Sequence, residues 1–379
     1  MFLYKNSENR FWFLSYLISV PCGMYIYGFF PAPYYIFFIC SIFGLLFIHP
    51  RICSIKSAIM LTLTLFSFVI LLYTSKINVW SYYLIGFVSF YYLMMFSSNI
   101  SNERLRLIIR HVVFLTLIIS VSDTLYRFLF PKYEYIDAII GKGNDDLIFY
   151  AYKHSFFFQD SNFIGLYLIS VFFLLLNNSN CFSKNLFLFS SISIFVLIVL
   201  TFSRAAIVAV LIGLLYCFYI KRLNGKNKLM LSFLMIFLLS IILFIMQLYD
   251  GYNLIGSETD GSLLTKFYIL DKFFLTISER EIYIFLFGWG FNNTMDYWGI
   301  AAHNLFFTLI LESGIIGFMI FISPFLYYAY NYKMVSPQVL SIFVTSLSFG
   351  IIFSPVTVPF ALNIISEMKN EGEVNIRFP

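Results

Sequence analysis

The sequence predicts an all-α, polytopic integral membrane protein, on three observations. Of its 379 residues 60% are hydrophobic and only 11% charged, against roughly 45–50% and about 25% in an average soluble domain. A water-soluble fold of this size cannot bury so much apolar surface, and the same arithmetic excludes disorder. Apolar runs of spanning length recur along the whole chain, and 49 Phe, 28 Tyr and 4 Trp suit lipid-facing helices and interfacial belts.

Runs long enough to cross the roughly 30 Å hydrocarbon core occupy residues 11–30, 34–49, 57–73, 79–97, 107–128, 155–176, 185–202, 205–220, 229–248, 302–330 and 337–365. Lys5 and Arg10 precede the first run and no small-residue cleavage site follows, so an uncleaved signal-anchor is expected. The second run is short. The last contains Pro355 and Pro359, so it reads as one kinked helix or two short ones, and the total as 11–12 spans. The whole chain 1–379 reads as one membrane domain, without internal repeats.

Orientation follows from the Lys and Arg distribution. A cytoplasmic N-terminus puts Arg51, Lys56, Arg104, Arg106, Arg110, Lys184, Lys221, Arg222, Lys226, Lys228 and Lys333 inside, in short loops. Asp123, Glu134, Asp137, Asp145, Asp146 and Asp160, and later Asp250 through Asp296, then fall outside. Two substantial outer loops result, 131–153 and 249–301. The second is the longest polar stretch of the chain, and such loops commonly carry function. The basic residues are dispersed between apolar runs, so the net charge of +5 does not indicate nucleic acid.

Within the large loop Leu263, Leu264, Phe267, Leu270, Phe273, Phe274 and Ile277 recur at three- and four-residue spacing, the mark of an amphipathic helix. It is expected to lie along the membrane surface, with Lys266 and Lys272 on or beside its polar side. Phe285-Leu286-Phe287-Gly288-Trp289-Gly290 follows, whose glycines suggest a sharp turn close to another backbone or a ligand.

The five cysteines lie in or beside apolar runs, are odd in number and show no CxxC pairing, which suggests neither a disulfide framework nor a zinc site. Asp145–Asp146 is the nearest approach to a divalent-cation motif, but adjacent carboxylates point apart in most backbones, and Glu279-Arg280-Glu281 is interrupted by a cation. No metal and no cofactor are expected.

Three polar groups converge on the outer face in this topology. Arg204 opens a span in Thr201-Phe202-Ser203-Arg204, and Ala205, Ala209 and Gly213 repeat every four residues behind it, a pattern that lets helices pack closely. Arg204 is then either a functional cation held in the bundle or an arginine snorkelling to lipid headgroups. His303 begins the tenth span. The helix dipole there disfavours the imidazolium and leaves the ring able to accept a proton. Read alone, it is an interfacial histidine without a role. At about 100° per residue Gly314 shares a helical face with His303, whereas Glu312 lies half a turn away and over two turns deeper, too far to be its partner. Lys266, read alone, is a solvated face charge. His49, His111 and His154 carry weaker signals.

The stretch His303-Asn304-Leu305-Phe306-Phe307 through Glu312-Ser313-Gly314-Ile315-Ile316-Gly317 resembles the His-Asn-x-Tyr/Phe…Glu-x-Gly-x-x-Gly signature of the O-antigen polymerase and O-antigen ligase superfamily. Phe202-Ser203-Arg204-Ala205-Ala206 is similar to that family's Ser-Arg helix start. Phe158-Gln159-Asp160-Ser161-Asn162 resembles its weaker third motif, and Leu286-Phe287-Gly288-Trp289-Gly290 its glycine turn. The family's loop arginine, separated by three residues from an apolar residue, corresponds to Lys266 with Leu270, a departure that keeps the charge but loses the bidentate fork.

The resemblance, which spans roughly residues 155–320, implies a GT-C-like integral-membrane glycosyltransferase of the inner membrane with its active site facing the periplasm. Its substrates would be undecaprenyl-diphosphate-linked glycans. A polymerase transfers the growing glycan to a new lipid-linked repeat unit, with a separate chain-length regulator as partner; a ligase transfers it to lipid A–core. The Phe-, Tyr- and Ile-rich composition fits the polymerase better. The implied roles are His303 as base, Arg204 and Lys266 on the diphosphate, and Asn304, Glu312, Gly314 and Asn162 in support. These agree with the chemistry, since a departing diphosphate needs cations and the acceptor hydroxyl needs a base near neutral pH. A polysaccharide flippase would have similar composition, but transporters tend to show repeats and midplane charges, and neither is seen.

Overall fold

The structure, a computed structural model, describes residues 55–95, 101–132, 151–158, 161–220, 261–279, 281–332, 335–348 and 353–376. The runs 11–30, 34–49 and 229–248, and Asp145–Asp146, lie outside the described residues. In order the helices are α1 (Ile55–Leu72), α2 (Ile77–Met95), α3 (Asn102–Leu129), α4 (Ser161–Asn177), α5 (Lys184–Leu200), α6 (Arg204–Ile220), α7 (Gly261–Glu279), α8 (Ile282–Phe287), α9 (Thr294–Trp298), α10 (Leu305–Asn331), α11 (Ser336–Ser346) and α12 (Phe353–Ile376). No strand occurs among the described residues.

The fold is all-α and membrane-embedded. α3 and α10 are each long and apolar enough to cross a bilayer, and α1, α2, α4, α5 and α6 contain shorter apolar helical stretches. The outward faces are themselves apolar: Phe114, Ile118, Phe189, Ile192, Leu215 and Phe218 are all exposed. A soluble bundle would carry polar residues at such positions; lipid accepts these.

α4 is the hub. Apolar nearly all round, it is buried at Phe163 through Leu175, as a uniformly hydrophobic helix must be. It packs against α3, α5, α6, α11 and α12. Polar side chains tie it into the bundle: Gln338 Nε2 donates to Ser170 O at 2.8 Å, Asn363 Nδ2 to Gln338 Oε1 at 2.9 Å, and Asn177 Nδ2 to Asn363 Oδ1 at 3.1 Å. Ser170, Gln338 and Asn363 are fully buried, and these bonds satisfy groups that would otherwise cost free energy.

The boundaries differ from the sequence reading for local reasons. α3 begins at Asn102 rather than 107, because Ser101 caps it by accepting the amide of Arg104 and the basic first turns continue the helix beyond its apolar part. α4 begins at Ser161 rather than 155, since residues 155–157 fold onto Asp123 instead. The last apolar run is two helices, α11 and α12. Pro337 stands in the first turn of α11, where its missing N–H costs nothing, and Pro359 is accommodated inside α12.

The small-residue stripe of α6 does bring helices together, with one shift of register. Ala206 and Ala209 are fully buried, whereas Ala205 is only half-buried. Ser341 Oγ of α11 donates to Ala209 O at 3.0 Å, and a Cβ on Gly213 would run into Ser341 Oγ and the Phe173 ring. Gly213→Ala is therefore expected to destabilise the protein by about 1–3 kcal/mol through overpacking. Thermal unfolding of the detergent-purified variant checks this, and an unchanged midpoint contradicts the packing.

Candidate active site

Arg204 is presented by a three-residue break between helices. α5 stops at Leu200; Thr201 Oγ1 turns back to Ile198 O at 2.7 Å and accepts the amide of Ser203 at 3.2 Å. Phe202 takes a left-handed backbone, φ 55°, which reverses the direction. Ser203 Oγ then accepts the amide of Ala206 at 3.3 Å, the side-chain capping that starts a helix. Arg204 is the first residue of α6 and is exposed. Gly165 of α4 lets the turn approach, since a Cβ there would stand 2.8 Å from Ala206 Cβ. Asn162 lies one turn earlier on α4, half-buried.

What holds this turn is a pair that the sequence reading did not single out. Asp123 and Arg127 of α3 form an ion pair at 3.0 Å with both side chains fully buried. Asp123 Oδ1 accepts from Ser155 Oγ at 2.7 Å and from the amides of Phe156 at 2.8 Å and Phe157 at 3.2 Å. Arg127 Nη1 donates to Tyr152 O at 3.2 Å and to Leu200 O at 3.0 Å, and Nη2 to Thr124 Oγ1 at 3.0 Å. The guanidinium thus clamps the last carbonyl of α5 and the segment that precedes α4 onto α3. Asp123, read from sequence as an outer-side acid, is the clamp's anchor. The available signal was an Asp and an Arg four residues apart inside an apolar run, which face each other on a helix.

His154 belongs to the same loop. Its Nδ1 bonds Ala151 O at 3.0 Å, and its ring lies edge-on to Tyr126. Burial holds its pKa below the usual value; the Ala151 carbonyl acts the other way, and Lys132 and Arg127 further disfavour the cation. Burial is the largest of these and favours the neutral ring.

His303 is not the first residue of its helix, which corrects the sequence expectation. It is exposed and takes a left-handed backbone, φ 43°. Asn304 is the cap: its Oδ1 accepts the amides of Phe306 at 3.0 Å and Phe307 at 3.3 Å, and its Nδ2 donates to Leu347 O at 3.3 Å. α10 therefore starts at Leu305. Gly314 does not share a helical face with His303 either, because Gly314 itself leaves helical geometry, with φ 66° and ψ 179°.

That break has a purpose in the packing. It releases the carbonyls of Leu311 and Glu312 from the i+4 bonding of an α-helix. They instead accept the amides of Trp289 at 3.0 Å and Gly290 at 2.8 Å. The glycine turn lies backbone-on-backbone against the kink: a Cβ on Gly288 would meet the Glu312 carbonyl, one on Gly314 the Leu286 carbonyl, and one on Gly290 the Thr74 carbonyl. Gly288 and Gly290 both have positive φ. Glu312 is 4% exposed, and its Oε1 accepts the amide of Thr294 at 3.3 Å. It is tied to the loop that leads to His303, not to His303. The turn between α1 and α2 completes the lock. Phe291 donates its amide to Ser75 Oγ at 2.8 Å and accepts from the Lys76 amide at 3.0 Å. Its ring is fully buried, stacked on Tyr83. Lys76 pairs with Asp296 at 2.8 Å.

α7 is the amphipathic helix read from the sequence, and it packs on protein. Ile269 and Phe273 cluster with Trp298, Ala302 and Leu311, and Phe273 stacks on Phe307 with ring centroids 4.1 Å apart. The helix thus leans against the segments on both sides of His303. Lys272 donates to Trp298 O at 2.7 Å and lies over the rings of Tyr268 and Trp298. Position 266 is two turns before Phe273 and about 20° from it around the axis. The side chain of Lys266 lies outside the described residues.

Arg204 and His303 stand at the same end of the bundle. Ser341 on α11 is opposite Ala209 on α6. The chain climbs about 9 Å from Ser341 to Leu347, and about 7.5 Å from Ala209 back to Arg204. Leu347 is thus level with Arg204, and its carbonyl accepts from Asn304, the neighbour of His303. Among the described residues no three His, Cys, Asp or Glu side chains gather as a metal cage; this end of the molecule offers an arginine and an imidazole.

Two outcomes test the supports. Arg127→Leu leaves Asp123 buried and uncompensated, a loss of about 3–5 kcal/mol; it is expected to lower the unfolding midpoint far more than the double variant Asp123→Asn/Arg127→Leu. Gly288→Ala pushes a methyl into the Glu312 carbonyl and strains a positive φ, so activity is expected to fall at least tenfold while the protein still inserts. A Gly288→Ala protein of normal activity contradicts the lock between turn and kink.

Residues 188–322 match the model of a family described as O-Antigen ligase. That is just over a third of the chain, and it contains Arg204, Lys266 and His303. Comparisons with curated proteins and with solved structures give no match. This part of the chain is similar to the O-antigen ligase family, which supports the O-antigen polymerase and ligase superfamily without separating one activity from the other.

Proposed function

We propose that the protein is an O-antigen polymerase, a membrane glycosyltransferase that joins undecaprenyl-diphosphate-linked repeat units at the periplasmic face of the inner membrane. One observation carries the proposal: Arg204 and His303 are both exposed at the same end of an apolar bundle, in a segment similar to the O-antigen ligase family.

In the proposed step the acceptor hydroxyl attacks the anomeric carbon of the donor glycan. The bond from that carbon to the diphosphate oxygen breaks, the new glycosidic bond forms, and the hydroxyl proton passes to the His303 imidazole. Charge growing on the departing lipid diphosphate is met by Arg204 and Lys266. Arg204 carries the planar fork that suits phosphate oxygens; Lys266 supplies a point charge. Asn304 sets the start of α10 and so the direction from which His303 is offered. Glu312 and Gly314 hold the glycine turn behind it, and Asn162 belongs to the helix that supports the Arg204 turn. A separate membrane protein that sets chain length is the expected partner.

The description of the matching family favours a second reading, transfer of the glycan to lipid A–core. A lipopolysaccharide gel separates the two. Loss of a polymerase leaves core plus one repeat unit, whereas loss of a ligase leaves bare core. His303→Ala is expected to give the core-plus-one pattern at wild-type membrane abundance. A normal ladder in that strain would overturn the assignment of His303 as base, and bare core would replace the polymerase with the ligase.

A further inference from the structure

The other end of the bundle holds a recess that the transfer step does not use. It lies between the start of α3, the short turn Ser179–Cys181 and the last part of α12, and is open to one side. Arg106, Lys369, Asn102, Asn180, Asn178 and Ser366 are among its walls, and among the described residues no carboxylate lines it. All six carry N–H or O–H donors, and two are cationic.

The floor is fixed. Asn178 and Ser366 are buried and bonded to each other, Ser366 Oγ donating to Asn178 Oδ1, while Asn178 Nδ2 donates to Leu174 O at 2.8 Å. Arg110 braces the turn from behind by donating to Cys181 O. Positive potential reaches the wall itself: burial pushes the Cys181 thiol up, and Arg106 and Arg110 pull it down.

Depth identifies the occupant. From Arg106 to Arg127 α3 rises about 32 Å, close to the roughly 30 Å hydrocarbon thickness of a bilayer. Arg127 is level with the Arg204 turn, so the recess stands at the headgroup layer of the opposite leaflet. Phospholipid phosphates lie at that depth, and basic recesses between spanning helices capture them.

We propose that this recess binds the phosphate of an anionic phospholipid headgroup, with Arg106 and Lys369 as the charge and Asn180 as a neutral partner. The proposal is independent of the glycosyltransferase reading. It bears on which lipid holds α3, α12 and the Ser179–Cys181 turn together.

Native mass spectrometry of the detergent-purified full chain tests it, with dioleoylphosphatidylglycerol, dioleoylglycerol and inorganic phosphate as separate probes. The wild type is expected to retain phosphatidylglycerol and not dioleoylglycerol. Arg106→Gln/Lys369→Gln should reduce the retained fraction at least tenfold, with an unfolding midpoint in the lipid-free state close to wild type. Asn180→Asp, an exposed change that adds a negative charge, should reduce it as well and serves if the double variant does not fold. Stabilisation by inorganic phosphate without any lipid adduct would assign the site to free phosphate and overturn the lipid as occupant. Equal phosphatidylglycerol retention by wild type and variants would overturn the site.

Discussion

The carbonyls of Leu311 and Glu312, released from their own helix where Gly314 departs from α geometry, are the points to which the His303 end of the protein is fastened. Inside a membrane bundle a helix cannot break without leaving backbone groups unsatisfied, at a cost of several kcal/mol each. Here two of the freed acceptors are taken up by Trp289 and Gly290, so the break in α10 and the turn after α8 exist together or not at all. Only glycine fits at the three closest points, since any Cβ would meet a carbonyl. The lock reaches the α1–α2 turn through Phe291, Ser75 and Lys76, which makes a long loop a rigid platform for α9 and the residues leading to His303.

Arg127 does the corresponding work for Arg204. Its guanidinium satisfies the last carbonyl of α5 and the Tyr152 carbonyl, groups with no helical partner. Asp123 supplies the countercharge and gathers the amides of Phe156 and Phe157. A buried pair of this kind is a poor source of net stability. Its value lies in fixing which irregular segments meet. The two devices, one of backbone and one of charge, place an exposed arginine and an exposed histidine at one end of a bundle whose sides are hydrocarbon.

The two ends have different characters. One presents irregular loops braced from within, around Arg204 and His303. The other presents helix ends, amides and basic side chains around Arg106 and Lys369. Under the proposed function, chemistry on lipid-linked sugars falls at the first end, and the proposed phospholipid site at the second. α3 runs between them with Arg127 near one terminus and Arg106 near the other, so a single helix sets the level of both.

By itself the sequence determined the membrane class, most span positions among the described residues, the helical stripe of residues 263–277 and the residues that resemble a glycosyltransferase superfamily. These follow from hydropathy and from short-range spacing, which are properties of neighbouring residues. The tertiary structure decided what those properties leave open. Helical periodicity assumed an unbroken α10, and so misplaced His303 and Gly314 relative to each other; a kink stabilised by a distant turn is invisible to any local period. Spacing alone gave residues 263–277 an apolar stripe, and only the neighbours of Ile269 and Phe273 show what that stripe packs on. Asp123 counted as one outer acid among several until Arg127, Leu200 and the 151–157 loop came together around it. Hydrogen bonds between segments far apart in the chain depend on where the backbone goes, and that path exists only once the helices have packed.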